Sequence, residues 1–445
     1  MNSNLNRSHH RVVITGVGAI SAFGAGAEQL WQNLLQGNNG LSAITHLPIS
    51  GEIVAIAGAM PDVNENITDD AKLKEMQTLD PSIPKFFLAV AEAISQAGLD
   101  IGNIDQQRLA CMVADRPFSP TSIMEHYLPS LIEAAPSKQL GDLDIGRYWQ
   151  ALQSNTALRQ YYQAPEQESL NHFIARYYQL SGPCLSIGTA CASGNNAIGE
   201  AFLKIQQGEL DCAIVGGAYD FDVNSMVGFT RIGALTTHKD ADSACRPFDL
   251  NRSGFVMGSG CGILVLESLA HAKARGTTIL AEVSGYASFS DGYRATDPDP
   301  SGMGARRTLQ GALDCAGLKP EHIGYINAHG TSTKMNDRTE TNAIKAVFGE
   351  HAYRVPISST KSMIGHGIMA AGALEAIACI YAMRDNMIHG TRNYHTPDPE
   401  LDLDYVPETK RELHFDHALS NNFGFGGQNA SVIFSRFKAK GEVYE

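Results

Sequence analysis

The sequence predicts an α/β fold with mainly parallel strand pairing, built from two related halves. Three observations carry this reading. Short apolar runs of strand length alternate with segments of helical period. Glycines and small polar residues punctuate the ends of those runs. A strand–turn–helix unit around Cys191 is echoed around Lys361, which suggests an internal duplication, the alternative being chance similarity of two βα turns.

The elements follow in chain order. Val12–Thr15 is a β-branched run, followed by Gly16 and Gly18. Leu30, Trp31, Leu34 and Leu35 share one face, which predicts a helix over Ala27–Leu35. A second helix is predicted over Phe87–Ala97, with Gly98 as its C-cap residue. Leu109–Val113 reads as a buried strand. From Pro117 to about Ser169 the chain turns polar, with aromatics and no clear period, and a largely helical insertion is expected there. Leu185–Gly188 is a strand feeding the helix Ser193–Gln207. Further strands are predicted at Cys212–Val215, Gly262–Glu267, Leu280–Ser288, Ile323–Ala328 and Val355–Ser358, with a helix at Arg306–Ala316. Ile368–Met383 is apolar nearly all round, the mark of a helix buried in a large protein. Asn429–Phe434 is the last predicted strand. The two similar units divide the chain into an N-terminal half over 1–279, carrying the insertion near 117–169, and a C-terminal half over 280–445.

Composition narrows the function classes. A formal net charge of −13 gives little to gain from counterion release, so nucleic acid is a poor partner. None of the eight cysteines forms a C-x-x-C pair, and no Cys/His cluster has zinc spacing, so no metal site is expected. The cysteine usage fits a reducing cytoplasm. The polar stretch Met1–Arg11 lacks the apolar core of a signal peptide, and no apolar run is long enough to span a bilayer.

Cys191 stands in Gly-Thr-Ala-Cys-Ala-Ser-Gly, between a strand and a helix. A helix N-terminus offers unpaired N–H groups and partial positive charge, which favour a nucleophilic thiolate. The alternative is a buried structural cysteine. His329 ends a predicted strand in Asn-Ala-His-Gly-Thr-Ser-Thr, and His366 lies between two glycines after Lys361. Strand ends are where sites gather in parallel sheets, and two imidazoles near a thiolate would supply donors for a developing enolate. Each histidine taken alone also suits a satisfied core or loop position. Glu375 lies on a helix with almost no other polarity, so it needs a cation, for which Lys361 is the nearest candidate. Asn421–Asn429, with three glycines around two phenylalanines, reads as a mobile loop whose spacing matches no phosphate-binding fingerprint.

Taken together, Thr-Ala-Cys191-Ala-Ser-Gly, Asn-Ala-His329-Gly-Thr-Ser-Thr, Lys361-Ser-Met-Ile-Gly-His366 and Asn-Phe-Gly-Phe425-Gly-Gly resemble the elongating β-ketoacyl-acyl-carrier-protein synthases of type II fatty acid and polyketide synthesis. The opening Val-Ile-Thr-Gly-Val-Gly and the segment Arg246-Pro-Phe-Asp…Gly254-Phe-Val-Met-Gly agree. The resemblance implies the thiolase-like fold, two pseudo-duplicated halves in α-β-α-β-α layers, normally a homodimer. It implies that Cys191 carries the acyl primer, that His329 and His366 bind the malonyl thioester, and that Lys361 maintains the site. Asp337 and Glu375 match supporting acids. The resemblance further implies that Phe425 gates the pocket and that its N–H would form the oxyanion hole with that of Cys191. Thr296, Thr331 and Thr333 match contacts to the pantetheine arm or malonyl group. No cofactor is expected beyond the phosphopantetheine that arrives on the partner, an acyl carrier protein. The Cys–His–His set separates the chain from thiolases, which use a second cysteine, and from priming synthases, which use Cys, His and Asn.

Departures stand beside the matches. Asp115-Arg116-Pro117 replaces a Gly-rich stretch that lines the family's acyl pocket, which points to an altered pocket. The segment after it is longer than usual. Gln428 stands where threonine is common, and Lys334-Met335-Asn336 replaces a Pro-x-Gly. Lys72, Lys74 and Lys85 are the candidates for a thin carrier-docking patch. A specialised polyketide pathway and fatty acid synthesis both remain open. So does a non-catalytic chain-length subunit paired in a heterodimer, although such subunits typically lack the nucleophile.

Overall fold

The structure is a computed structural model, and it describes residues 10–45, 47, 53–62, 82–115, 134–135, 144–154 and 169–438. Arg116, Pro117, Lys72, Lys74 and most of the 117–169 insertion lie outside the described residues. Within that insertion a helix is described at Ile145–Ser154.

Ten strands form the main path of one large sheet: β1 (Val12–Ser21), β2 (Leu109–Ala114), β3 (Cys184–Ser186), β4 (Cys212–Tyr219), β5 (Gly260–Ser268), β6 (Ala281–Ser290), β7 (Tyr325–Asn327), β8 (Ile357–Ser358), β9 (His417–Gly424) and β10 (Gln428–Ser435). Their spatial order is β8-β7-β9-β10-β6-β1-β5-β4-β2-β3. Read outward from the middle, the first five strands run 1-5-4-2-3 and the last five run 6-10-9-7-8. Adding five to each number in one half gives the other. The halves join where Val12–Ile14 of β1 pairs antiparallel with Ala281–Val283 of β6.

The expectation of mainly parallel pairing is corrected. Within the ten-strand path, among the described residues, only β2 with β3 and β4, and β7 with β8 and β9, pair in parallel. The five links β1–β5, β4–β5, β1–β6, β6–β10 and β9–β10 are antiparallel. Alternation of strands and helices does not reveal which strands a helix crosses between. β9 and β10 are joined by the turn Phe425–Gly427, too short for any crossover, so they must run antiparallel.

Five helices complete the layers: α1 (Ile83–Ala97), α2 (Ser193–Gln206), α3 (Met303–Ala316), α4 (Lys334–Phe348) and α5 (Ala371–Asp385). α1 covers β1 and β5 on one outer face, and α3 covers β6 and β10 on the corresponding face of the second half, with α4 packed beside it into the core shared with β7 and β9. α2 and α5 pack on each other and touch strands of both halves, which places them in the central layer. The order is therefore α-β-α-β-α. α5 is buried on all sides except at its C-terminal end, as its unbroken apolarity requires. α2 and α5 meet through glycine: a Cβ on Gly194 would lie 2.9 Å from the Ala373 nitrogen, and one on Gly372 would lie 2.7 Å from the Asn195 nitrogen.

Two further differences from the sequence reading have physical causes. β1 does not stop at Thr15 but runs through Gly16 and Gly18. Those glycines are needed for packing, since a Cβ on Gly18 would lie 2.0 Å from the Ala89 carbonyl of α1. The expected mobile loop at Asn421–Asn429 is mostly strand. Asn421–Gly424 ends β9 and Gln428–Asn429 begins β10, leaving only Phe425–Gly427 as turn. Its asparagines hid the strand because polar residues are rare in buried ladders.

Candidate active site

Both central helices begin at a strained turn. Ala190 has φ 49° ahead of α2, and Ile368 has φ 43° ahead of α5. A left-handed conformation at a non-glycine residue costs about 1–3 kcal/mol and persists only where its surroundings over-determine it. At the first turn they do. The Thr189 N–H donates to Ser193 Oγ at 2.8 Å, and Ser193 Oγ donates to the Ala190 carbonyl at 2.6 Å. Asn196 Nδ2 donates to Thr189 Oγ1 at 2.7 Å, and Tyr286 Oη of β6 donates to Asn196 Oδ1 at 2.9 Å.

This turn presents Cys191, 6% exposed, at the start of α2. His329 follows β7 and His366 follows the short helix Lys361–Ile364. Strand ends of both halves thus deliver their chemistry to one point. Ligand atoms of Cys191, His329 and His366 lie within 4.8 Å of one another. The two rings meet edge to face at 5.2 Å.

The hydrogen bonds assign the tautomers. The Ile368 N–H donates to His366 Nδ1 at 3.3 Å, so Nε2 carries the proton, and that atom is buried without a partner. Asn422 Nδ2 donates to His329 Nδ1 at 3.3 Å, which likewise puts the proton on Nε2. Burial, reinforced by the charge of Lys361, pushes both imidazoles well below the usual histidine range. Both are neutral N–H donors at pH 7.

Lys361 is 1% exposed and donates from Nζ to Glu375 Oε1. The cation inferred for Glu375 is therefore Lys361. Asn422 Nδ2 also donates to Glu375 Oε2 at 2.7 Å, linking this pair to His329. Burial raises the Glu375 carboxyl, against the pull of Lys361.

Cys191 departs from expectation. N–H groups of Phe425 and of Cys191 itself reach its sulfur, and Lys361 favours the thiolate, but burial outweighs them and pushes the thiol up to about 11. Alkylation of Cys191 by iodoacetamide is therefore expected to accelerate by about tenfold per pH unit from about pH 7 to about pH 10. A rate already level at neutral pH, followed by intact mass, would show that the helix start dominates instead.

A cavity of about 290 Å³ opens on these groups. Cys191, His329, His366 and Phe425 line it, together with Thr296, Thr331 and Thr333. Thr331 Oγ1 and Thr333 Oγ1 lie 2.9 Å apart. Phe425 faces Phe229 with ring centroids 5.9 Å apart, and Phe229 meets Phe255 at 5.2 Å. Asp337 is near the site but does not line the cavity. It accepts from the Phe248 N–H at 2.8 Å and pairs with Arg252 at 3.6 Å. Asp115 is also not among the cavity residues. Its carboxylate accepts from the Leu170 N–H and from Ser186 Oγ, tying β2 to β3 and to the helix Leu170–Tyr178. Lys85 is paired with Asp62 at 3.1 Å.

Sequence reasoning missed Glu340 and Asn422. Glu340 of α4 is fully buried and accepts from the His329 N–H at 2.9 Å and the Gly330 N–H at 2.8 Å. Burial pushes its carboxyl up to about 7. Its signal was available: Asp337 and Glu340 are one turn apart on a helix opening just after the His329 motif. Asn422 left no such signal, because its role depends on the fold of β9.

The chain resembles known proteins along nearly its whole length. Residues 9–272 match the family described as "Beta-ketoacyl synthase, N-terminal domain", and residues 280–395 match "Beta-ketoacyl synthase, C-terminal domain". The chain is 37% identical to a 3-oxoacyl-[acyl-carrier-protein] synthase 2 of Staphylococcus aureus over 96% of this chain and 99% of that protein. It is 38% identical to the protein of that name in Synechocystis, over 97% and 100%. Among solved structures, a β-ketoacyl synthase from Burkholderia phymatum superposes with TM-score 0.82 at 31% identity, covering 96% of this chain and all of that one. A ketosynthase in complex with a type II polyketide acyl-carrier protein, bound to a hexaketide, gives TM-score 0.81 at 31% identity, with coverage of 96% and 100%.

Proposed function

The chain belongs to the β-ketoacyl synthase family, and from that premise we propose how its own residues divide the reaction. The enzyme is an acyltransferase of the condensing type, joining an acyl primer to a malonyl thioester with loss of CO2. The observation that carries the assignment is the meeting of one thiol and two neutral Nε2–H donors, all on buried residues, in one cavity.

In the first half-reaction Cys191 Sγ attacks the primer thioester carbonyl. The N–H groups of Cys191 and Phe425, which converge on that sulfur, hold the developing oxyanion. The C–S bond to the carrier breaks, and the departing thiolate takes the thiol proton. In the second half-reaction the malonyl thioester oxygen accepts from Nε2–H of His329 and His366. The carboxyl group leaves as CO2, and its bonding pair becomes the enolate. The enolate carbon attacks the Cys191-bound acyl carbon, the bond to Sγ breaks with its pair left on sulfur, and the thiolate takes a proton from solvent to restore the thiol. The product is a β-keto thioester two carbons longer. Neutral donors suit this step, because protonated imidazoles would hold the malonyl carboxylate as an ion pair and resist its loss.

The substrates arrive as phosphopantetheine thioesters on an acyl carrier protein, with Thr296, Thr331 and Thr333 along the arm. The reaction draws on no metal or cofactor held by this chain. Both fatty acid and polyketide pathways use this chemistry. β3 ends the sheet and pairs only with β2 among the described residues, and Leu185 on it is 44% exposed. An open edge with an exposed apolar residue suits a second subunit, and the self-complementary choice is a homodimer. Among the described residues no helix is long and apolar enough to cross a membrane. A cytoplasmic setting fits the eight free cysteines. The reading as a non-catalytic chain-length subunit is not favoured, since the nucleophile and both donors are present.

The test is mass spectrometry after incubation with a panel of acyl-carrier thioesters and malonyl-carrier thioester. One primer class should remain on Cys191, and the carrier-bound product should gain two carbons. Acyl transfer or CO2 release without a longer product would sink the condensing reading.

A further inference from the structure

The mechanism leaves a fully buried imidazole unused. His389 is 0% exposed and follows the short strand Met387–Ile388. Its Nδ1 lies 2.9 Å from the Gly390 carbonyl, an acceptor, so Nδ1 carries the proton and Nε2 offers a lone pair. That lone pair is 3.0 Å from Thr360 Oγ1. Burial pushes the imidazole down to about 4, so the ring is neutral and the lone pair persists at pH 7. The other polar groups around it are neutral too: Tyr325 Oη and Ser358 Oγ, each at 3.4 Å.

Thr360 has one hydroxyl proton. With His389 accepting it, the oxygen's lone pairs are left for Asn327 Nδ2, which donates at 2.9 Å. Thr360 directly precedes Lys361, and Asn327 stands two residues before His329. The chain after His389 continues along the same loop. Thr391 Oγ1 accepts from the Ser359 N–H at 3.1 Å, and the Arg392 N–H donates to Ser362 Oγ at 3.0 Å. The turn bearing Cys191 receives none of these bonds and is held instead by Ser193, Asn196 and Tyr286.

We propose that His389 is a positioning residue for decarboxylation: through Thr360 it ties the loop carrying Lys361 and His366 to the strand end carrying His329. The inference rests on the division of labour given under the proposed function. Its consequence is selective. Without the acceptor, the Thr360 hydroxyl is free to turn toward Asn327, where proton would meet proton. The backbone bond from the Ala328 N–H to the Ser358 carbonyl and the bond from Ser359 Oγ to the Gly330 carbonyl remain, but the side-chain tie at Thr360 is lost, so the spacing of the two histidines loosens while the thiol and its oxyanion donors stay in place.

Two rates separate this from simple packing. One is CO2 release from malonyl-acyl carrier protein. The other is loading of Cys191, by intact mass, from the primer thioester that loads wild type best. His389→Leu and Thr360→Val should each lower CO2 release by about tenfold, the value of one lost hydrogen bond at a reacting geometry. Loading should stay within about twofold in both, and Thr360→Ser should restore CO2 release. Equal loss of both rates, or no loss of either, would mean that His389 only fills space. If His389→Leu does not fold, the Thr360 pair gives the same answer alone. If wild type releases no CO2, the reading of the reaction fails first, and this inference falls with it.

Discussion

Cys191→Ala is expected to lower condensation by about 1,000-fold or more, the scale seen when a covalent nucleophile is removed. The same variant should still release CO2 from the malonyl thioester. The Cys191 side chain contributes nothing to the tautomers of His329 and His366, which are set by Asn422 and by the Ile368 N–H. The change is small in volume, and the turn that holds residue 191 draws its bonds from Thr189, Ser193 and Asn196, not from the thiol. Folding should therefore be unaffected. Intact mass would show no acyl adduct, and a carbon dioxide assay would show decarboxylation continuing. Loss of both activities with an unchanged fold would mean that the thiol takes part in the second half-reaction as well.

Lys361→Met is expected to cost about 3–5 kcal/mol of stability, the loss found when one partner of a buried pair is removed. Lys361 and Glu375 are 1% and 2% exposed at their side chains, so water cannot replace the lost ammonium. Glu375 would keep only Asn422 as a donor. The deficit should depend on pH, with a definite sign. The Glu375 carboxyl is already raised by burial, and removing the cation raises it further. A group raised in the folded state is stabilising below its unfolded value and loses that contribution as pH rises through its folded value. The variant should therefore approach wild type toward acid pH and fall behind as pH increases. Adding Glu375→Gln removes the unpaired charge and should recover much of the loss at neutral pH. Urea unfolding at several pH values measures all of this. A pH-independent deficit, untouched by the second substitution, would place the cost in packing rather than charge.

Much of the site was legible in the sequence because its residues sit in short contiguous motifs at strand ends. Cys191, His329 and Lys361 each lie where a strand hands over to a helix, and that junction shows in the change of period; His366 lies between the short helix that Lys361 begins and α5. Glu375 announced its partner because an isolated charge on an apolar helix needs one. The two-part architecture was legible for the same reason: each half repeats a strand, a small-residue turn and a buried helix. The five-layer order came with the family resemblance.

Other features depended on distance in space, which sequence separation does not measure. Parallel and antiparallel neighbours could not be told apart by alternation, and five of the nine links in the ten-strand path proved antiparallel. Glu340 meets backbone N–H groups 11 and 10 residues away along the chain, and Asn422 meets a side chain 93 residues away. The state of Cys191 was also decided by the folded surroundings. Its place at a helix start argues for an acidic thiol, yet desolvation outweighs that local field once the turn is packed beneath β9 and against α5. The sequence singled out the groups to which we assign the chemistry, and the structure brings them together. Only the tertiary structure decided their protonation, because burial is a property of everything that surrounds a residue and not of its neighbours in the chain.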